Sequence, residues 1–352
     1  VTYRVVHWGT GNAGALALRG IIAHADLELV GLLAYSPDKI GRDAGQLSGG
    51  TPVGVLASGD VDAMLALRPD CLCYMGDGLK YPEESVAAMC RFLAAGINVV
   101  TTSVLALVNP ATARPELLEP VEGACRAGQS TFFCNGADPG FASDLVPVTL
   151  LALMDDVEAV RIQEIINYGF YDQVETMRVL FGFGQPLDYE APLFTSGALT
   201  EYWGGVIALI AAKLGVRLDE IRETHDVVAL DHDVEIAVGT IAAGTVAAIR
   251  FDVQGIVNGR PVIVVEHYTR VDTDAAPGWP RCAGGENGYR ILLEGRPQLA
   301  CEITMADEHG GDGGLIANGM RVVNAIPFVC ETEPGILDTL GIPAVVSRNV
   351  RF

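Results

Sequence analysis

Along the first 140 residues, short apolar runs alternate with stretches whose apolar residues recur every three or four positions. The runs fall at residues 3–8, 27–35, 71–75, 98–102 and 130–134 and predict five β-strands. The stretches between them, among them 61–67, 83–95 and 116–127, carry helical spacing. Strands rich in Val, Ile and Leu with helices between them predict an α/β fold built on a parallel, doubly wound sheet. Ligands of such sheets bind beyond the carboxyl ends of the strands. That rule gathers residues 9–14, 36–42, 75–78, 101–103 and 135–141 on one rim.

After residue 140 the texture changes. Residues 157–167 predict a strand, and 173–183 and 198–214 predict helices. From residue 226 onward alternation at period two prevails, over 227–238, 241–257, 261–271, 288–293 and 298–305. Val257-Asn258-Gly259-Arg260 lies between two such runs and predicts a hairpin. These features predict a second α/β domain with a mostly antiparallel sheet. A glycine-rich stretch around His309, which could serve as a lid, precedes a predicted helix over 315–326. The expected organisation is therefore residues 1–140, 141–308 and a C-terminal segment, 309–352, that returns to the first domain.

Between the first predicted strand and the first predicted helix stand Gly9-Thr10-Gly11-Asn12-Ala13-Gly14. Strand, glycine turn and helix form the arrangement that binds a dinucleotide pyrophosphate. The first glycine makes the turn, the second admits the phosphate, and the third lets helix pack on strand. Backbone N–H groups at the helix start then hold the anion. The second strand ends not on an acid but on Ser36, with Lys39 and Arg42 close behind. A hydroxyl and two cations suit a 2′-phosphate, so NADP(H) is the expected cofactor, with NAD(H) accepted because Asp38 is near. From the rim, Met75, Thr101, Thr102 and Asn135 join the expected cofactor contacts.

Composition narrows the partners. The chain of 352 residues has 23 basic and 44 acidic side chains, a formal charge of −21, which argues against nucleic acid and anionic membranes. Half the residues are hydrophobic, enough for two aliphatic cores. The eight cysteines include no C-x-x-C pair, and no metal site is expected. No basic leader and no membrane-spanning apolar run stand out, so a cytoplasmic location is expected.

Tyr35-Ser36-Pro37-Asp38-Lys39-Ile40-Gly41-Arg42-Asp43-Ala44-Gly45 resembles a signature stretch of the dihydrodipicolinate-reductase-like family. That family includes 2,4-diaminopentanoate dehydrogenase and the native amine dehydrogenases. Asn98-Val99-Val100-Thr101-Thr102, Asp138-Pro139-Gly140-Phe141 and Val323-Asn324-Ala325-Ile326-Pro327 are similar to its later motifs and follow in the same order. The resemblance implies a Rossmann domain, a homodimer formed through the second domain, and an active site in the cleft between domains. It also implies hydride transfer between NAD(P)H and a C=N or C=O carbon. Two departures stand out. The His-His…Lys motif of dihydrodipicolinate reductases is missing, since the faintly similar stretch at 266–278 lies too late and lacks the second histidine and the lysine. The glutamate that amine dehydrogenases carry after the strand at 98–102 is missing too, because 103–109 reads Ser-Val-Leu-Ala-Leu-Val-Asn. Reductive amination, carbonyl reduction without amination, and non-catalytic NADP(H) sensing all remain open.

Candidates for the chemistry are Glu164, a carboxylate among isoleucines on a predicted strand, Tyr168 as a proton donor, and Ser103 at a strand end. Internal pairing of Glu164, and a lining or core role for Tyr168, remain alternatives. His267, alone in a β run, reads as a satisfied core residue. Phe170, Tyr171, Met177, Phe181, Phe183, Tyr202, Trp203 and Trp279 offer an apolar pocket for a small neutral ketone, aldehyde or imine, or serve as core.

Overall fold

Buried on both faces, the short strands of the N-terminal region can only sit inside a sheet covered on both sides. The computed structural model, which describes residues 1–306 and 313–350, bears this out. His309 and the expected start of the C-terminal segment lie outside the described residues. The chain divides into two units, one of Val1–Phe141 with Leu315–Phe352 and one of Ala142–Gly314.

The first unit runs β1 (Tyr3–Trp8), α1 (Asn12–Ala23), β2 (Leu27–Leu33), α2 (Ala44–Leu47), β3 (Ala57–Ser58), α3 (Val61–Ala66), β4 (Cys71–Tyr74), α4 (Pro82–Ala94), β5 (Asn98–Thr101), α5 (Pro115–Gly128) and β6 (Thr131–Cys134). In the second unit follow α6 (Val146–Leu151), β7 (Asp156–Asn167), α7 (Ala198–Leu214), β8 (Glu220–Ala229), β9 (Val234–Ile236), β10 (Gly239–Ile241), β11 (Val246–Val257), β12 (Arg260–Arg270), β13 (Gly288–Arg296) and β14 (Leu299–Thr304). Then come α8 (Gly313–Val323), α9 (Ile326–Glu331) and β15 (Gly335–Leu337).

The first sheet is parallel, with seven strands in the order β15-β6-β5-β4-β1-β2-β3. Strand order reverses between β1 and β4, which opens a crevice beyond their carboxyl ends. The C-terminal segment belongs to this unit. Val322, Val323, Ala325, Ile326 and Val329 share a core with Ala17 and Ile21 of α1 and with Cys71, Cys73, Val100 and Phe133 of the sheet. These core residues lie in the apolar stretch Gly313–Glu331, which by length and hydropathy alone could cross a bilayer. The helix expected over 315–326 breaks after Val323, because Pro327 cannot donate to the preceding turn and starts α9 afresh.

The second unit holds a mixed six-stranded sheet in the order β14-β13-β7-β12-β11-β8. Only β7 and β12 pair in parallel. Helix α7 supplies Leu199, Trp203, Val206, Ile207 and Ile210 to a core against Val160, Ile162, Phe251, Val253, Ile263, Val265, Ile291 and Leu293. The β11–β12 hairpin turns where the sequence places it, with Asn258 at φ 51° and Gly259 at φ 75°.

Two expectations change in their bounds, and two short strands escape the pattern. The helix predicted at 173–183 covers only 174–180, with a wide turn at Thr176–Leu180, and is followed by Gly182 and Gly184 at φ 80° and 76°. The strand predicted at 227–238 begins earlier, at Glu220, and stops at Ala229. It is an edge strand whose polar residues reach solvent, so its first half carries little apolar signal. Strands β3 and β15 are two and three residues long, too short to show a period.

Candidate functional site

At the carboxyl end of β1 each glycine of the turn meets a different constraint. Gly9 has φ 111°, and a Cβ there would lie 2.5 Å from the Met75 carbonyl oxygen. A Cβ on Gly14 would lie 2.5 Å from the Gly9 carbonyl oxygen, so helix and turn touch through backbone. A Cβ on Gly11 would meet nothing within 4 Å. Two glycines are therefore required by the fold itself, whereas the third keeps space clear in front of the helix start. Gly11 is the N-cap of α1, no side chain caps that end, and the first turn carries no acid. The backbone N–H groups at the start of α1 and the helix dipole favour an anion there. This cradle fits a dinucleotide pyrophosphate.

Buried His7 braces the turn from below. Its Nε2 donates to the Gly9 carbonyl at 2.6 Å, and burial pushes its pKa down to about 4. The folded chain therefore refuses a proton that the unfolded chain accepts. Stability contributed by neutral His7 is present above about pH 6.5 and is lost as pH falls through about 4, a loss of about 3 kcal/mol. Urea unfolding between pH 7 and 4 checks this. The parent should lose that much more stability than His7→Gln.

The rest of the rim is tightly tied. Thr102 Oγ1 lies 3.5 Å from the Met75 sulfur, and Thr101 Oγ1 accepts from the Ser103 N–H at 3.0 Å. Ser103 is buried, and its backbone would clash with any Cβ on Gly78, at 2.2 Å. Asn135, expected beside the nicotinamide, spends its side chain on the C-terminal segment. Its Nδ2 donates to Thr339 Oγ1 at 2.8 Å, and its Oδ1 accepts from Arg321 Nε at 2.8 Å.

The loop after β2 splits the expected trio. Ser36 and Arg42 are exposed, while Lys39 Nζ donates to the Thr10 carbonyl at 2.7 Å and so steadies the glycine turn. Tyr35 lies on the Trp8 ring at 5.6 Å, with its hydroxyl 2.8 Å from that of Tyr74. Asp43, inside the signature stretch, anchors the following loop. Its carboxylate accepts the N–H groups of Val53, Gly54 and Gly45 and sits below the usual carboxylate range for that reason.

In the second unit Glu164 occupies the middle of the sheet, on the face covered by α7. Its cross-strand neighbours are Tyr289 of β13 and His267 of β12. His267 Nδ1 donates to Glu164 Oε2 at 2.8 Å, and the Tyr289 hydroxyl donates to Oε1 at 3.1 Å. The Phe251 ring stacks on the imidazole at 4.3 Å and 17°, and Trp203 meets it edge-on at 4.5 Å. All three polar residues are buried. A carboxylate on an apolar face is tolerated because both oxygens are bonded. Reading by sequence set Glu164 apart, took His267 as a satisfied core residue and did not name Tyr289. Their parity with Val265 and Ile291 marks the same face, but pairing across strands leaves no local signal.

Tyr168 sits in an aromatic cluster with Phe170, Tyr171 and Phe181. Met177, Phe183 and Trp203 belong to the core, while Phe170 lines a cavity of about 390 Å³ with apolar Val234, Ile236 and Met305 and acidic Glu235, Asp272 and Glu286. The residues expected to line an apolar pocket are therefore divided between core packing and a hollow of mixed lining.

Comparison with known proteins follows the same outline. Residues 141–351 match the model of the 2,4-diaminopentanoate dehydrogenase C-terminal domain. An amine dehydrogenase of Streptomyces virginiae is 42% identical over 344 residues, covering 96% of this chain and 95% of that protein. The structure of an amine dehydrogenase from Mycobacterium smegmatis superposes with a TM-score of 0.81 at 20% identity, covering 99% of this chain and 98% of the other. GenD2 of gentamicin A biosynthesis, solved in complex with NAD, has the same fold at a TM-score of 0.52 and 13% identity, covering 92% and 86%.

Proposed function

We propose, from the premise that the chain belongs to the family of 2,4-diaminopentanoate and amine dehydrogenases and is an NAD(P)-dependent oxidoreductase, that it moves a hydride between the nicotinamide and a C=N or C=O carbon. The substrate class that fits is a small, mostly apolar ketone, aldehyde or imine. The observation that carries the cofactor half is Gly11, a turn glycine with clear space where a side chain would stand. When bound, the nicotinamide supplies the hydride. The protein supplies the pyrophosphate cradle at Gly9, Thr10, Gly11, Asn12, Ala13 and Gly14, a rim fixed by Met75, Thr101 and Thr102, and a proton-handling carboxylate. For the last we assign Glu164, because among Glu164, Tyr168 and Ser103 it alone is flanked by an imidazole and a phenol on its own sheet row.

We further propose a preference for NADP(H), with NAD(H) accepted. Ser36 and Arg42 stand free in the loop after β2, where a 2′-phosphate would be met. Ser36→Ala with Arg42→Ala should weaken NADPH about tenfold and leave NADH nearly unchanged. Lys39→Ala should weaken both, because Lys39 holds the turn. Cofactor titration by fluorescence reads the two patterns, and equal losses in the double variant would refute the preference.

A second reading, carbonyl reduction without amination, draws on the run after β5. Val104, Leu107 and Val108 are buried, and no acid occurs between Ser103 and Asn109. Turnover that rises with ammonium supports amination, and turnover indifferent to ammonium supports reduction of the carbonyl. A cytoplasmic homodimer formed through the second unit completes the proposal, and sedimentation at micromolar concentration tests its assembly.

A further inference from the structure

We infer that His267 and Tyr289 are positioning residues that pin the two oxygens of Glu164 for proton exchange with the substrate. The inference rests on the assignment of Glu164 above. It starts from the register. Tyr289, Glu164 and His267 are direct cross-strand neighbours on three adjacent strands, so Glu164 is flanked on each side by one donor. The donors address different oxygens, Oε1 at 3.1 Å and Oε2 at 2.8 Å. A glutamate has three side-chain torsions and otherwise spreads over many rotamers. Two bonds from rigid strands, rather than from loops, select one.

The imidazole is itself held. Phe251 is its neighbour on β11 and stacks on it at 4.3 Å, while Trp203 of α7 closes on it at 4.5 Å. Ring packing fixes the plane of His267, and the bond to Oε2 places the proton on Nδ1. A carboxylate that needed only neutralisation would be served by a flexible lysine or arginine. Here a planar donor wedged between aromatic rings sets the direction of the bond. In the exchange itself, the bond between a proton and the substrate nitrogen or oxygen breaks. The electron pair stays on that heteroatom, and the proton joins a Glu164 oxygen; the reverse direction mirrors this. His267 and Tyr289 keep their protons throughout and undergo no redox change.

Tyr289→Phe removes one donor and keeps the ring, and His267→Asn keeps an N–H near the Nδ1 position where His267→Leu keeps none. With the best ketone of a panel, Tyr289→Phe and His267→Leu should lower kcat about tenfold each, with KM within about twofold and NADPH affinity unchanged. His267→Asn should recover most of the loss. In a Glu164→Gln background neither change should cost anything further. In the protein without cofactor, the Glu164 carboxylate stretch, isolated by subtracting the Glu164→Gln infrared spectrum, should shift in Tyr289→Phe. Equal losses in the parent and Glu164→Gln backgrounds, or an unmoved carboxylate band, would overturn the positioning role alone. A Glu164→Gln enzyme with parental turnover would overturn the assignment of Glu164 and this role with it.

Discussion

Gly11→Ala is expected to weaken dinucleotide binding at least about tenfold while leaving the melting temperature within about 2 °C of the parent. The two effects separate because the added methyl meets no protein atom within 4 Å. It occupies only the space in front of the α1 N-terminus, where a pyrophosphate would approach the backbone N–H groups of the helix start. Gly9→Ala and Gly14→Ala should behave in the opposite order. Each places a methyl 2.5 Å from a backbone carbonyl oxygen, and Gly9 also has φ 111°. Both should lose about 2–4 kcal/mol of stability, with binding lost as a consequence of misfolding at the turn. Thermal melts and fluorescence titration on the three variants check the contrast. If Gly11→Ala melted as low as Gly9→Ala, the turn would be a structural corner with no ligand to admit.

The second large effect belongs to Glu164. Glu164→Gln should lower kcat by about 100-fold or more, the range that a positioned proton-transfer group contributes. Affinity for NADPH should not change, because the pyrophosphate cradle is made of first-unit residues. Glutamine keeps the shape and the acceptor for Tyr289 but cannot take up and release a proton. The loss should therefore appear in turnover rather than in KM. Stopped-flow and steady-state kinetics on the folded variant, verified by its melting curve, supply the check. A variant that turns over at the parental rate would leave Glu164 as a paired core carboxylate and direct attention to Tyr168 and Ser103.

Much of the fold is legible from local pattern. β1 and α7 match their expected bounds residue for residue, because each is an apolar run that a glycine ends. The glycine turn is legible because the motif itself carries its three glycines, two set by backbone approach and one that keeps space clear. Elements set by tertiary context are not legible in that way. β15 becomes a strand only because β6 offers an edge, and β8 is a strand whose polar residues reach solvent. At the site, Glu164 stands out as an acid among isoleucines. His267 lies 103 positions further on, and what joins them is the parallel β7–β12 register, which no window of sequence contains. Lys39 carries a comparable lesson. Its sequence neighbours suggested a phosphate contact, whereas its ammonium group reaches the Thr10 carbonyl.

Transfer of a deuteride tests the central proposal most directly. The protein is incubated with NADPH deuterated at C4, stereospecifically on either face in separate reactions, and with a panel of aliphatic and cyclic ketones with and without ammonium. The products are read by mass spectrometry and NMR. The expected result is one deuterium on the former carbonyl carbon, from one face of the nicotinamide only, in an amine when ammonium drives turnover and in an alcohol when it does not. NADPH bound tightly at the glycine turn, with no deuterium delivered to any carbon across the panel, would contradict it.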